Sequence, residues 1–357
     1  MSELVDRRLF LRRGAMGVAG AAVLGSGALA ACGSDAKTSS GGGSKSFGTI
    51  GYQLSWIKNS EFGGSYIADQ KGYYKSAGFT KVNLIAGGPN VTQDAVVQAG
   101  SAFVGISAPD ITASAVNKGA DLVIVAAQYQ KNPFCVMSLA KSPIKTPQDM
   151  IGKKIGIQAT NDAVWTAFLK VNNIDESKVT KVTVQFDPTP LTTGDVDGWF
   201  SFITNEPNLL KVQGIDTYNM LLNDFGYPLV SETYMVKRDA LTSGRDKLKA
   251  LLLADIKGWR DSVADPALSA KYAVTIYGKD QKLDLAEQTL DSQAQNDLIL
   301  TDDTKANGIF TVTDKLLGES ISTLKLAGID ISQSKLFDMS AIEEVYKENP
   351  DLKKSPV

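Results

Sequence analysis

The chain of 357 residues contains no histidine. That absence removes Ser-His-Asp and Cys-His catalysis, zinc or iron held by imidazole, and histidine as a general base. Cysteine is nearly absent as well, with two in the sequence, Cys32 and Cys135. A cysteine-built metal cluster is therefore excluded. No long basic or acidic run occurs, and the formal net charge is -2. This argues against a nucleic-acid face, which concentrates lysine and arginine. The apolar stretch from Ala15 to Ala31 spans only about 17 residues and is rich in Gly and Ala, a poor membrane span. What is present, 43% hydrophobic and 21% charged, is the balance of an ordinary folded protein. The length admits two modest domains or one large one.

The N-terminus is processing sequence rather than fold. Asp6-Arg7-Arg8-Leu9-Phe10-Leu11-Arg12 precedes the apolar stretch, the order of a secretory signal. The paired arginines ahead of Phe10-Leu11 resemble a twin-arginine signal. The alternative is a single N-terminal membrane anchor. The stretch ends at Leu29-Ala30-Ala31-Cys32, which resembles a bacterial lipobox with Cys32 as the lipidated residue. A lipid carrying more than one acyl chain anchors stably. Residues 1–31 are thus expected to be a signal peptide, and 32–46 the lipidated cysteine and a Gly/Ser-rich flexible tether. Cleavage would remove Arg7, Arg8, Arg12 and Arg13 but only Glu3 and Asp6, leaving the mature body more acidic. With Cys32 lipidated no internal disulfide is expected, and Cys135, in the apolar run Phe-Cys-Val-Met-Ser-Leu, reads as a buried structural thiol.

From Phe47 onwards short β-rich runs alternate with amphipathic segments. Strands are expected at Thr49–Leu54, Val82–Ala86, Ala102–Ile106 and Leu122–Ala127, with helices at Phe62–Lys75, Asn90–Ala99 and Pro109–Asn117. The unit repeats with strands at Lys154–Ile157, Val182–Phe186 and Tyr218–Leu222, an apolar run at Trp199–Ile203, and helices at Asp162–Val171 and Glu206–Gln213. Such an order implies an α/β fold of largely parallel, doubly wound sheets. Two units joined by extended crossings, for which Phe134–Ala140 and Thr233–Val236 are candidates, give two hinge-linked lobes. Lobe 1 is expected over 47–135 and 236–357, and lobe 2 over 136–235. The C-terminal part is mainly helical, with an apolar stripe in Arg245–Val263, and no chemistry is evident in it.

Ligands of such sheets sit beyond the carboxyl ends of strands, where helices begin and backbone N–H groups are free. The loop after the first strand unites Trp56, a flat face for stacking, with Asn59, which both donates and accepts, and Glu61. Glu61 also suits a helix cap, and Trp56 the core. Tyr66 follows in the adjoining helix. Ser107 and Asp110 mark a second strand-to-helix loop, where capping is the alternative role. Gln130 and Asn132 mark a polar turn, Asn161 a fourth loop, and Asn205 and Glu206 a further helix start. Trp165 and Trp199 either close a sandwich around a planar ring or belong to the core.

At these residues the sequence resembles a known group. Trp56-x-x-Asn59-x-Glu61-Phe62-x-Gly64-x-Tyr66-x-Ala68, Lys71-Gly72-Tyr73-Tyr74 and Gly87-Gly88-Pro89 are similar to binding proteins for thiamine pyrimidine precursors. Their relatives include riboflavin-binding lipoproteins and alkanesulfonate, taurine and nitrate binders. Gly105-Ile106-Ser107, Gln130-x-Asn132-Pro133, Ile144-Lys145-Thr146-Pro147-x-Asp149, Gly152-Lys153-Lys154-Ile155-Gly156 and Thr204-Asn205-Glu206-Pro207 continue the match. The resemblance covers most of residues 47–240. It implies a two-lobed type II periplasmic-binding fold that closes on a ligand and delivers it to an ATP-driven permease. The superfamily also holds an enzyme that makes the thiamine pyrimidine with histidine and a cysteine cluster, both absent here.

The expected function is therefore binding without catalysis: an exported substrate-binding lipoprotein of an ABC importer, held to the outer face of the bacterial cytoplasmic membrane through Cys32. The ligand expected is a small aromatic nutrient, riboflavin or a thiamine-precursor pyrimidine. Three tryptophans and several amides tilt the choice towards the flavin. Alkanesulfonate, taurine or nitrate is the alternative, although an anion calls for cationic or backbone donors and no arginine stands in these loops. Another is a secreted hydrolase using Asp195 with Asp197, or Glu206 with Glu61, and a third a surface sensor. A monomer without cofactor or metal is expected, with permease and ATPase subunits as partners and no nucleic acid.

Overall fold

The computed structural model describes residues 46–88 and 91–357. The signal segment 1–31, the lipobox cysteine Cys32 and the tether through residue 45 lie outside the described residues, as do Pro89 and Asn90.

Among the described residues ten strands form two five-stranded sheets. In chain order they are β1 Gly48–Gln53, β2 Phe79–Ile85, β3 Val104–Ser107, β4 Leu122–Tyr129, β5 Phe134–Leu139, β6 Lys154–Gln158, β7 Thr180–Val184, β8 Gly198–Phe202, β9 Thr217–Leu221 and β10 Ser231–Lys237. The first sheet has the order β2-β1-β3-β10-β4 and the second β7-β6-β8-β5-β9. Each is parallel except for one strand, β10 in the first and β5 in the second, which runs against both neighbours. Helices cover both faces, giving the two-lobed α/β fold that the alternation of elements implies.

The two candidate crossing segments are strands, as expected, but they lie within the sheets and not between them. Phe134–Ala140 falls on β5 and Thr233–Val236 on β10. Every residue from Ser231 to Val236 is buried, and so are Cys135 to Ser138. A segment buried on both faces belongs inside a sheet, where its backbone groups are paired. The chain instead passes between the sheets at residues 130–133 and 222–230. Asn132 ties these two passages together, donating its Nδ2 to the Leu229 carbonyl at 3.2 Å and accepting from Phe134 N at 3.1 Å.

The expected helix Phe62–Lys75 is broken into Gly63–Gln70 and Tyr73–Ser76. Gly72, at φ +73°, takes the left-handed conformation that ends the first segment. Gly63–Gln70 packs on Arg245–Ala264 through glycines on both sides. A Cβ on Gly258 would stand 2.8 Å from the Ala68 backbone nitrogen and collide with the Gly64 carbonyl. That backbone approach fixes the segment just ahead of it, residues 54–62, which carries the site. Cys135 is buried in β5, and burial pushes its thiol well above the usual range, so the expected structural role holds.

Candidate functional site

Between the lobes lies a cavity of about 480 Å³. Its floor on the first lobe is the loop after β1. Asn59 caps the short turn Ser60–Phe62, its Oδ1 accepting from Glu61 N at 3.1 Å. Side chains from distant segments hold the same turn. Gln288 Oε1 accepts from Ser60 N at 2.7 Å, Gln295 Nε2 donates to the Ser60 carbonyl at 3.0 Å, and Gln128 Nε2 donates to the Glu61 carbonyl at 3.2 Å. The loop after β2 closes over it, with Gly87 N donating to the Trp56 carbonyl at 2.8 Å. A Cβ on Gly87 would reach within 2.5 Å of Ser55 backbone atoms, so only glycine allows this approach.

Of the residues singled out in the sequence, Trp56, Asn59, Glu61, Ser107, Asp110, Asn132, Asn161, Asn205 and Glu206 line this cavity. Ser107 donates to Asp94 at 2.6 Å, Asp110 stands in the first turn of Pro109–Asn117, and Asn161 donates to Gln158 Oε1 at 2.9 Å. Glu206 opens Glu206–Val212 and accepts from the Ser201 hydroxyl.

Four do not line it. Tyr66 is fully buried and stacks on Tyr277, the ring centroids 4.2 Å apart. Gln130 folds back onto the Ala127 carbonyl at 3.0 Å. Trp165 packs edge-on against Phe200 at 5.9 Å and supports the cavity wall from behind. Trp199 points to the opposite face of β8 from Phe200, into a separate cluster with Met137 and Val184. Successive strand residues face opposite sides, so Phe200 and Phe202 take the wall positions instead.

The aromatic wall is thus Trp56 with Phe134, Phe186, Phe200, Phe202 and Tyr227. Phe186, in the loop past β7, meets the Trp56 ring edge-on at 5.3 Å and joins the two sides at the cavity rim.

The C-terminal helix Leu285–Ile299, from a region whose sequence shows no chemistry, supplies Glu287, Gln288 and Asp291 to the cavity. Asp291 accepts from Asn208 Nδ2 at 2.9 Å and from Gln288 Nε2 at 2.8 Å. Burial, then repulsion from Glu287, Glu61 and Glu206, pushes its carboxyl up to about 9. Glu232, at the start of β10, takes φ +46°, an unusual backbone state for a residue with a side chain. It accepts from the Ser55 hydroxyl at 2.7 Å and pairs with the Glu61 carboxyl. Burial raises both acids of this pair, and the charge of Glu61 raises Glu232 further. Burial likewise raises Asp110 and Glu206. Among the described residues, neither lysine nor arginine lines the cavity.

A ring-walled cavity lies between the two α/β lobes, and the fold is that of type II periplasmic binding proteins. The periplasmic aliphatic sulphonate binding protein SsuA of Escherichia coli superposes with a TM-score of 0.62 at 16% identity, covering 86% of this chain and 88% of that one. A ligand-binding component of an ABC-type import system from Staphylococcus aureus does so with a TM-score of 0.61 at 11% identity, covering 83% and 98%. Identities this low speak for the fold alone.

The chain belongs to the NMT1/THI5-like family, matched over residues 59–269. It is also similar to the riboflavin-binding protein RibY of Chloroflexus aurantiacus, 26% identical over 219 residues, 60% of this chain. The match spans 62% of that relative's length. No helix of the described residues is long and apolar enough to cross a membrane.

Proposed function

We propose that this protein captures a flat aromatic heterocycle outside the cytoplasmic membrane and presents it to the permease and ATPase of an ABC importer. The reading rests on one observation: an interlobe cavity walled by Trp56, Phe134, Phe186, Phe200 and Phe202 and edged with amides and acids. Rings stack on such walls, and buried amides and carboxyls left unpaired by a wrong ligand cost about 1–3 kcal/mol each, which supplies selectivity. Lobe closure about the passages at 130–133 and 222–230 would bury the ligand and shape the surface offered to the permease.

Riboflavin or a thiamine-precursor pyrimidine suits the cavity, and the likeness to RibY supports the flavin. A sulfonate, taurine or nitrate suits it poorly, because no cationic side chain of the described residues faces the cavity. Binding without turnover is proposed. The acids here are ringed by amides and hydroxyls, and Asp195 and Asp197, the other candidate hydrolytic pair, stand outside the cavity. Export by the twin-arginine-like signal and anchoring through a lipid on Cys32 complete the reading.

Titration calorimetry with riboflavin, a thiamine-precursor pyrimidine and an alkanesulfonate tests the ligand class. Tighter binding of the sulfonate, or no heat with either heterocycle, overturns it. Mass spectrometry of ligand carried through native purification identifies the natural solute. For the anchor, Cys32→Ala should move the protein from the membrane to the soluble fraction.

A further inference from the structure

Among the described residues six acids line the cavity, Glu61, Asp110, Glu206, Glu232, Glu287 and Asp291. Among the described residues none of them is paired with a lysine or arginine; every ion pair lies elsewhere. Apart from the contact between Glu61 and Glu232, the partners are neutral: the Ser55 hydroxyl on Glu232, the Ser201 hydroxyl on Glu206, and the Asn208 and Gln288 amides on Asp291. An isolated buried carboxylate is costly, and it either keeps its proton or finds a counter-charge. The described residues supply no counter-charge.

Glu61 and Glu232 are each 4% exposed, and their carboxyls hydrogen-bond to each other. Two carboxyls at that range hold one proton between them. The left-handed backbone of Glu232 adds a cost at this position. Among the described residues the groups facing Glu61 are acidic or neutral. They are Asn59 from its own loop, Glu232 from β10, Tyr66 from Gly63–Gln70, Tyr129 from β4 and Asp291 from the C-terminal helix. Opposite, Gln158 is 3% exposed, lines the cavity and has its Oε1 taken by Asn161, while its Nε2 has no partner among the described residues. It is a donor set for a ligand acceptor.

We propose that the cavity takes an aromatic cation, a flat ring bearing an amidinium, ammonium or charged ring nitrogen, with the positive group seated between the Glu61 and Glu232 carboxyls. The ligand takes the place of the proton those carboxyls share, and that proton leaves to solvent on binding. The ring stacks against the Trp56 and Phe186 side, and Gln158 offers its free N–H to an acceptor at the far edge. The inference rests on the reading of this cavity as a site for flat rings and adds a preference, among such rings, for one that carries a positive charge.

A matched pair of probes isolates that charge. Benzamidine and benzamide share shape and ring, and only the first is a cation. Calorimetry should show benzamidine binding tighter by roughly tenfold or more at about pH 8, and the preference should shrink towards about pH 6, where proton competition is stronger. Runs in two buffers of different ionisation enthalpy should show proton release with benzamidine. Glu232→Gln should lose the release, because no shared proton remains, and should weaken the preference, because a single carboxylate is left to face the cation. Equal affinities, tighter benzamide binding, or no binding of either at millimolar concentration overturns the inference. Riboflavin is titrated alongside on the wild-type protein. If riboflavin binds and the pair are indistinguishable, the cation falls while the aromatic site stands; if none of the three binds, both fall.

Discussion

Asn208 in helix Glu206–Val212 of the second lobe donates its Nδ2 to Asp291 of helix Leu285–Ile299 at 2.9 Å. Leu285–Ile299 packs on the first lobe, against β4 and the turn Ser60–Phe62. The bond therefore spans the two halves next to the cavity and favours their closed arrangement. Removing one partner of a buried hydrogen bond costs about 1–3 kcal/mol, or roughly fivefold and upwards in an equilibrium constant. Asn208→Ala should weaken ligand binding by about that factor, chiefly through a faster off-rate. Stopped-flow dissociation measures it, and an unchanged off-rate would show that closure does not depend on this bond.

Behind the cavity, Asp255 of Arg245–Ala264 is fully buried against Ser65 and the Tyr74 hydroxyl. Burial pushes its carboxyl up to about 6, against the pull of the Tyr74, Tyr52, Tyr234 and Ser65 hydroxyls. A raised acid binds its proton more tightly in the folded state than in the unfolded chain, where it titrates near about 4. Its contribution is thus fully present below about pH 4 and is lost as pH rises to about 6. Asp255→Asn keeps the shape, and hydroxyl partners can accept from the amide where they donated to the acid. The variant should gain up to about 3 kcal/mol relative to wild type above about pH 6, and no such gain below about pH 4. Urea melts across that range test the sign, and a gain independent of pH would refute the titration account.

The tryptophans should separate into two kinds. Trp56 is half-buried on the cavity, so Trp56→Ala should reduce ligand affinity by tenfold or more while leaving the melting temperature nearly unchanged. Trp165 and Trp199 are fully buried, and truncating either should cost about 3–5 kcal/mol of stability. Paired thermal melts and titrations read both effects. An affinity loss confined to folded Trp199→Ala protein would return that ring to the site.

That separation shows where the sequence is readable. The loops beyond β1, β3, β6 and β8 follow from the rule that ligands sit past strand ends, and Trp56, Asn59, Glu61, Asn161 and Glu206 do line the cavity. Trp199 misses the cavity by one residue of parity, because the same strand sends Phe200 to the opposite face. Asp291 and Gln288 escape for a different reason. Helix Leu285–Ile299 buries a polar face, Gln288, Asp291, Ser292 and Gln295, so no apolar stripe betrays which side points inwards. Its role arises from a contact between Gln288 and Ser60 that joins residues 228 positions apart. Glu232 stands at the beginning of a strand, where the strand-end rule does not look.

The approach of Gly64 to Gly258 makes the last prediction, because it couples packing to the site. Gly258→Ala would place its methyl against the Gly64 carbonyl and 2.8 Å from Ala68. Backbone has no rotamer with which to yield, so helix Gly63–Gln70 must move away from Arg245–Ala264. Overpacking of this kind costs about 1–3 kcal/mol. Gly63–Gln70 continues directly from the turn that carries Glu61, so its displacement also separates Glu61 from Glu232. Gly258→Ala should therefore lower the urea midpoint and weaken ligand binding together. Gly318 supplies the control, since it lies inside helix Asp314–Leu326 and a methyl added there would meet nothing within 4 Å among the described residues. Gly318→Ala should raise stability by up to about 1 kcal/mol through helix propensity and leave binding untouched. If Gly258→Ala loses stability yet binds ligand as wild type does, the helix pair supports the lobe without positioning Glu61.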